Sequence, residues 1–421
     1  MKDNMTPLTD VLDFIVDNRG KTVPTSDSGI PLIATNCIKH SSIYPTFDNV
    51  RYVNDETMKT WFRAHPKPND IIFVNKGTPG RVCLVPDAVG FCFAQDMMGF
   101  RCDPKKIDYQ YLFAVLRSNF IQQKIENFHV GLVIPHFKKG DLGHIKIPRL
   151  SSRQLELAVG KLYIKLSKKI ELNNQINVEL EAMAKTLYDY WFVQFDFPDA
   201  NSKPYKSSGG KMVYNEVLKR DIPEGWENGS LDDIGQVVGG STPSTSERNN
   251  FADIATPWIT PNDLSKNQGN KFISRGAQDV TADGIKSASL KTYPTGTVLL
   301  SSRAPIGYMA IAQNPLTTNQ GFKSFIPNKG YSTEFVYYSV RNSLKTIEQY
   351  SSGSTFKEIS GSVLKTVKTI LPESKIVDDY TATVADTFAR QNNLELENQQ
   401  LSSLRDWLLP MLMNGQVTVS Q

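Results

Sequence analysis

The feature that most restricts what this chain can fold into is that it repeats itself. At an offset of about 226 residues, Ile30–Ile38 (IPLIATNCI) answers Thr256–Leu264 (TPWITPNDL), aligning Pro31 with Pro257, Ile33 with Ile259 and Asn36 with Asn262. Both stretches read as a short strand entering a polar loop. Pro68–Gly80 (PNDIIFVNKGTPG) answers Pro294–Gly307 (PTGTVLLSSRAPIG) with one inserted residue, an apolar strand and then a loop carrying Pro79 or Pro305. AQDMMGF, with Gln95 and Phe100, answers NQGFKSF, with Gln320 and Phe325, and apolar helical runs ending near Arg117 and Arg341 follow. Collinear anchors of this kind imply one domain written twice. A length of 421 residues leaves room for two cores.

Each copy is followed by a stretch in which Pro and Gly nearly vanish, Ser151 to about Phe195 and about Ser374 to Leu412, with Gly160 and Pro410 as exceptions. Apolar residues recur there at helical spacing. Leu166, Ile170, Asn173, Asn177, Leu180, Ala184, Leu187 and Trp191 step by alternating fours and threes, as the seam of a coiled coil does, and Thr387, Gln391, Leu394, Asn398, Leu401, Arg405, Leu408 and Leu412 repeat the register. Asn177 and Asn398 fall on equivalent seam positions, where a buried polar residue fixes register at some expense in affinity. Helices of this length reach roughly 60–70 Å, long enough to serve as spacers. The Pro-, Gly-, Ser- and Lys-rich segment between the first helix and the second copy reads as a linker. The expected division is a first domain over 1–150, a helix over 151–197, a linker over 198–225, a second domain over 226–373 and a second helix over 374–421.

Catalytic signatures are missing. RGKT at Arg19–Thr22 resembles the tail of a phosphate-binding loop, but the glycine that loop requires is replaced by Ile15. No GxGxxG opens a helix after a strand, GxSxG and HExxH are absent, and no Pro-Pro-aromatic turn of an amino-methyltransferase occurs. Asp70, Glu126 and Asp141 have no counterparts in the other copy and read as surface or turn residues. Cys37, Cys83, Cys92 and Cys102 show no CxxC spacing, and all five histidines fall before residue 145, so neither disulfides nor a metal site is expected of a unit that recurs without either residue. The start, MKDNMTPLTD, has no apolar stretch after a basic one, and no run is long enough for a membrane span, which together suggest a cytoplasmic protein. A net charge of +4 is compatible with nucleic acid and does not demand it.

Two related domains held by rigid helices, without catalytic machinery, suit one extended ligand touched at two places, and double-stranded DNA is the simplest such ligand. The first copy offers loop residues Arg19, Lys21, Thr22, Asn36, Lys39, Asn75, Lys76, Arg81, His136, Lys138 and Lys139. The second offers Ser241, Thr242, Arg248, Asn262, Ser301, Ser302, Arg303, Tyr308, Asn319, Gln320, Ser354, Thr355 and Lys357. Lys and Arg neutralise phosphates or reach guanine edges, and Asn or Gln pairs with adenine. Divergent chemistry on matching loops is what two readers of different short sequences require.

The segment Asp221–Gly235 (DIPEGWENGSLDDIG), the loops Gly77–Gly80 and Arg303–Gly307, the Gln95 and Gln320 positions and the closing LRDWLLPMLMNGQV resemble the specificity subunit of Type I restriction-modification systems across nearly the whole chain. The resemblance implies an α+β fold of two mixed α/β target-recognition domains in a pseudo-two-fold repeat, each followed by a long helix, the two helices forming an antiparallel coiled coil. It also implies a non-catalytic subunit that reads a bipartite, asymmetric DNA target, with two methyltransferase subunits and two restriction helicase-nuclease subunits as partners. S-adenosylmethionine, ATP and magnesium would sit on those partners, leaving this chain without a cofactor. Leu155, Leu162, Tyr188 and Phe192 become candidates for methyltransferase docking, with packing on the chain's own domains as the alternative. The first domain departs from the pattern by opening at MTPLTDVLDF without an IPEGW-like entry. A specificity module of a fused or stand-alone modification system, and a coiled-coil scaffold that binds no DNA, are the rival readings.

Overall fold

A computed structural model describes residues 4–18, 22–128, 136–303, 305–351 and 358–417. The chain divides into two units, Met1–Gln175 with Glu397–Gln421, and Ile176–Leu396. Each unit therefore holds one domain together with half of each long helix, a partition that the domain-then-helix order of the sequence does not suggest.

In the first unit Ile71–Val74 (IIFV) is buried at every position, as a run of β-branched and aromatic residues must be when neighbours cover both of its faces. It lies inside an antiparallel sheet ordered Leu12–Val16, Met97–Cys102, Ile71–Val74, Val82–Leu84. A second sheet is ordered Arg51–Val53, Ile30–Ile33, Cys92–Phe93, and its last pair is parallel. Helices Tyr109–Arg117 and Asn119–Asn127 follow, the first capped by the Asp108 carboxylate, which accepts from the N–H groups of Gln110 and Tyr111. Gly160 in the first long helix lies against the start of Tyr109–Arg117, where an added Cβ would fall 2.5 Å from the Tyr111 nitrogen. That contact explains the glycine that interrupts the helical pattern.

The second unit repeats the plan. Gln236–Gly239, Lys323–Ile326, Val298–Ser302 and Ile306–Ala312 form the antiparallel sheet, extended by Phe272–Ile273. Thr256–Ile259 again pairs antiparallel on one side, with Gln278–Val280, and parallel on the other, with Thr317–Thr318. The matched loops turn on matched glycines, Gly80 at φ 96° and Gly307 at φ 98°, a region that side chains rarely enter. Both domains close through a strand pair, Met5–Pro7 with Lys146–Pro148 and Glu227–Ser230 with Lys368–Leu371. The entry that looked aberrant in the first domain thus forms the same strand from a different sequence.

The long helices run Arg153–Tyr188, ending in a π-helical turn Asp189–Val193, and Ser374–Met413. Within the first unit Arg405 lies over the Tyr163 ring, while the Asn173 amide donates to Asn398 Oδ1 (2.9 Å) and the Asn398 amide to Asn174 Oδ1 (2.8 Å). Within the second, Gln391 donates to the Asn177 carbonyl and Tyr188 meets Tyr380. In each unit rising numbers on one helix meet falling numbers on the other, so the segments pack antiparallel. Asn177 and Asn398 are both at the helix contact, but Asn398 pairs with Asn173 and Asn174. In the second seam alternate positions move on by one residue: Phe388, Glu395 and Leu409 are buried where Thr387, Leu394 and Leu408 are only half-buried, while Gln391 and Leu412 are buried as expected, so the heptad spacing is kept with its threes and fours exchanged.

The structure adds detail to three expectations. The segment read as a linker contains a hairpin, Met212–Asn215 with Arg220–Pro223, and an aromatic stack in which Phe197 lies on Tyr205 and Trp226 (centroids 4.7 and 5.1 Å). Tyr188 and Phe192 are core residues of the second unit, and Leu155 and Leu162 are half-buried. Among the described residues, the large apolar side chains that the long helices expose are Leu172, Val178, Met183, Val193, Leu404 and Trp407. Asp70 does shape a turn, accepting from the Lys67 N–H, but it is buried and forms a bidentate pair with Arg101.

Candidate nucleic-acid interface

The parallel strand pair in each domain gathers the loops. In the first, the pairing of Ile33 with Phe93 sends the chain carrying Asn36 and Lys39 and the chain carrying Gln95 off the same sheet edge. The Asn75 N–H donates to Asp96 O (2.8 Å) and the Phe137 N–H to Asn75 O (2.7 Å), which draws Lys76, His136, Lys138 and Lys139 together. Lys139, 3.6 Å from Asp17, ties in the end of Leu12–Val16 beyond which the exposed Thr22 lies. Asn18, buried there, donates to the carbonyls of Ala64 and Phe93 and accepts from the N–H groups of Arg63 and Ala64. It anchors this cluster, and only its place at the end of a strand hinted at it.

Arg81 does not join that group. With Arg117 and Arg405 it faces His40, whose imidazole is held below its ordinary value by burial and by those three cations. The remaining cations are partly neutralised by neighbouring carboxylates, Lys39 by Asp48, and Lys76 by Asp96 at 3.7 Å. The Lys39 ammonium beside it holds Asp48 below the usual carboxylate range. Exposed pairs of this kind are screened by water and hold weakly, so an incoming phosphate can replace the carboxylate at small expense.

In the second unit the pairing of Ile259 with Thr318, and the bonds from Asn319 N–H to Ile259 O (3.0 Å) and Ser241 N–H to Thr318 O (3.1 Å), bring Ser241, Thr242, Asn262, Asn319 and Gln320 to one edge. Thr242 hydrogen-bonds Gln320. Asn262 is presented, exposed, on a helix start held by a reciprocal cap in which Asp263 accepts from the Thr260 N–H and hydroxyl (2.8 and 2.6 Å). The TPND sequence carries that capping signal. The Ser302 N–H bonds Gly321 O (2.8 Å), placing Arg303 alongside, 3.9 Å from Glu358. Arg248 is exposed in the turn that follows the Ser241–Thr242 loop.

Asn75, Ser301 and Ser302 are buried and do not face a ligand. Ser301 and Ser302 end a strand flanked on both sides, and the Ser301 hydroxyl donates to Pro305 O (2.8 Å) and accepts from the Tyr308 N–H (2.9 Å). Tyr308 itself is half-buried. Arg19, Lys21, Ser354, Thr355 and Lys357 lie outside the described residues. Among the described residues no group of His, Cys, Asp and Glu side chains converges to hold a metal ion, and no helix is long and apolar enough to cross a membrane.

The chain is similar to specificity subunits of Type I restriction enzymes. It is 44% identical over 199 residues to the MjaIX specificity subunit of Methanocaldococcus jannaschii, a match spanning 45% of each chain, so that it covers about half the length of that relative. It is 26% identical over 364 residues to the HindI specificity subunit of Haemophilus influenzae, covering 73% of this chain and 77% of that one. The crystal structure of an S subunit from M. genitalium shares the fold, with a TM-score of 0.57 at 16% identity over 99% of this chain and 96% of that one. A model described as the Type I restriction modification DNA specificity domain matches twice, at residues 4–182 and 223–405, and with both halves accounted for by that one domain, the chain belongs to the Type I restriction modification DNA specificity family.

Proposed function

We propose that this chain is the address-reading subunit of a Type I restriction-modification complex. Each unit reads one half of a bipartite, asymmetric DNA site through its loop edge, and the chain joins two methyltransferase subunits and two restriction helicase-nuclease subunits, which carry S-adenosylmethionine, ATP and magnesium. The observation that supports this best is the pair of equivalent parallel-strand edges bearing different chemistry: Asn36, Lys39, Lys76, His136, Lys138 and Lys139 in one unit, Thr242, Asn262, Asn319 and Gln320 in the other. Cations engage phosphates whatever the sequence, whereas amides select base edges.

A genome-wide map of adenine methylation in a host carrying the complete system tests the reading, with one motif of two half-sites and a constant gap expected. Methylation without a constant gap would sink it. Inserting four residues after Asn177 is expected to change or abolish that gap, and an unchanged methylation pattern would refute the role of the helices as spacer.

A further inference from the structure

The second unit contains a charged cluster that DNA reading does not use. Lys271 is only 4% exposed, yet its ammonium lies 2.5 Å from Glu181 Oε2 on the first long helix and donates to Gln391 Oε1 (2.7 Å) on the second and to Tyr338 OH (3.1 Å) in the domain. The Phe388 ring faces it at 3.8 Å. The Lys271 and Phe272 N–H groups donate to the two oxygens of Glu395 (2.8 and 2.9 Å). Domain and both helix segments of the unit thus meet at one side chain.

The fold does not require this charge. The Leu84 N–H donates to Ile43 O in the first unit as the Ile311 N–H donates to Lys271 O in the second, each at 2.8 Å, so the same backbone position is filled once by a buried isoleucine and once by a lysine. Burying an ion pair stabilises little relative to apolar packing, and its better-attested use is to select one geometry. Apolar contact is non-directional. An ammonium with three oxygen partners in different directions is satisfied in a single pose.

We propose that Lys271 is a positioning residue: its latch to Glu181 and Gln391 fixes the pose of the second domain on its own helix segments, and so sets how strictly the second half-site must be spaced from the first. The inference rests on the two-half-site reading above.

The test uses the full chain assembled with its methyltransferase and duplexes whose gap is changed by one base pair either way, with each half-site also scrambled separately. Lys271→Met is expected to keep discrimination at the first half-site while the preference for the native gap falls by about tenfold, the scale of one recognition error. Lys271→Arg should recover part of it. A merely structural defect would weaken all duplexes in proportion and leave the ratio unchanged, and that result would overturn the proposal. Should Lys271→Met not fold, Gln391→Leu removes a single acceptor and is expected to shift the ratio in the same sense, and no shift there is equally fatal. If the unaltered protein ignores both the gap and the second half-site, the two-half-site reading fails; if it depends on them and the variants behave identically, only the latch does.

Discussion

The two units complete the same topology with different chemistry. In the first, Ile43 joins Phe113, Val159, Tyr163, Leu409 and Leu412 in one apolar core. In the second, a comparable core of Tyr188, Phe335, Tyr380 and Phe388 surrounds a charged centre of Lys271, Glu181, Arg341 and Glu395. The aligned arginines sharpen the contrast. Arg341 pairs with Glu181, whereas Arg117 lies over the Phe113 ring (5.0 Å) with a buried Nη2 that has no hydrogen-bond partner. Burial holds the Arg117 guanidinium below its ordinary value, while the Arg341 guanidinium is raised, burial being outweighed by Tyr337 and Glu181. Duplication thus conserved a packing plan and left the chemistry of the joint free to diverge.

Three perturbations probe that difference, beginning with the strongest. Glu181→Gln strips buried Lys271 and half-exposed Arg341 of the carboxylate they share and is expected to destabilise the second unit by about 4 kcal/mol, the range for breaking a buried pair. Hydrogen exchange under denaturant, read in Val298–Ser302 and Ile71–Val74 separately, should show the loss in the former alone; an equal loss in both would erase the distinction between the joints. Leu409→Ala is the reciprocal experiment, expected to cost the first unit about 3 kcal/mol through lost burial and the cavity left behind, with Val298–Ser302 unaffected.

The smallest effect is a pH dependence confined to the charged joint. Burial raises Glu395 from 4.5 to about 7, with Lys271 and Glu181 as the charges facing it, so its stabilising contribution is complete below pH 4.5 and lost as pH rises through 7. Burial lowers Lys271 from 10.5 to about 8 against the pull of Glu181, with Arg341 and Glu395 also facing it, so its contribution is present above pH 10.5 and lost as pH falls through 8. The joint is therefore weakest between about pH 7 and 8. Glu395→Gln should gain about 2 kcal/mol relative to the parent protein between pH 5 and 7, measured as the difference in thermal midpoint of the second unit. A constant difference across that range would show that Glu395 does not titrate there.

The sequence by itself determined what local pattern encodes. Strands Ile30–Ile33 and Thr256–Ile259 lie on the apolar stretches expected to form them, and the near-absence of Pro and Gly located helices that run Arg153–Tyr188 and Ser374–Met413. Such signals depend on neighbours a few residues away. Tertiary structure alone decided the rest. Ser301 and Ser302 looked like loop hydroxyls until strands on both sides buried them, and Asn398 found Asn173 and Asn174 as partners, 225 and 224 residues away in the chain, a pairing that no heptad count names. No local pattern marks Lys271 for burial, because its acceptors Glu181 and Gln391 lie 90 residues before it and 120 after it in the chain. A charge is buried or solvated according to what distant segments bring against it, and that is settled only when the chain closes on itself.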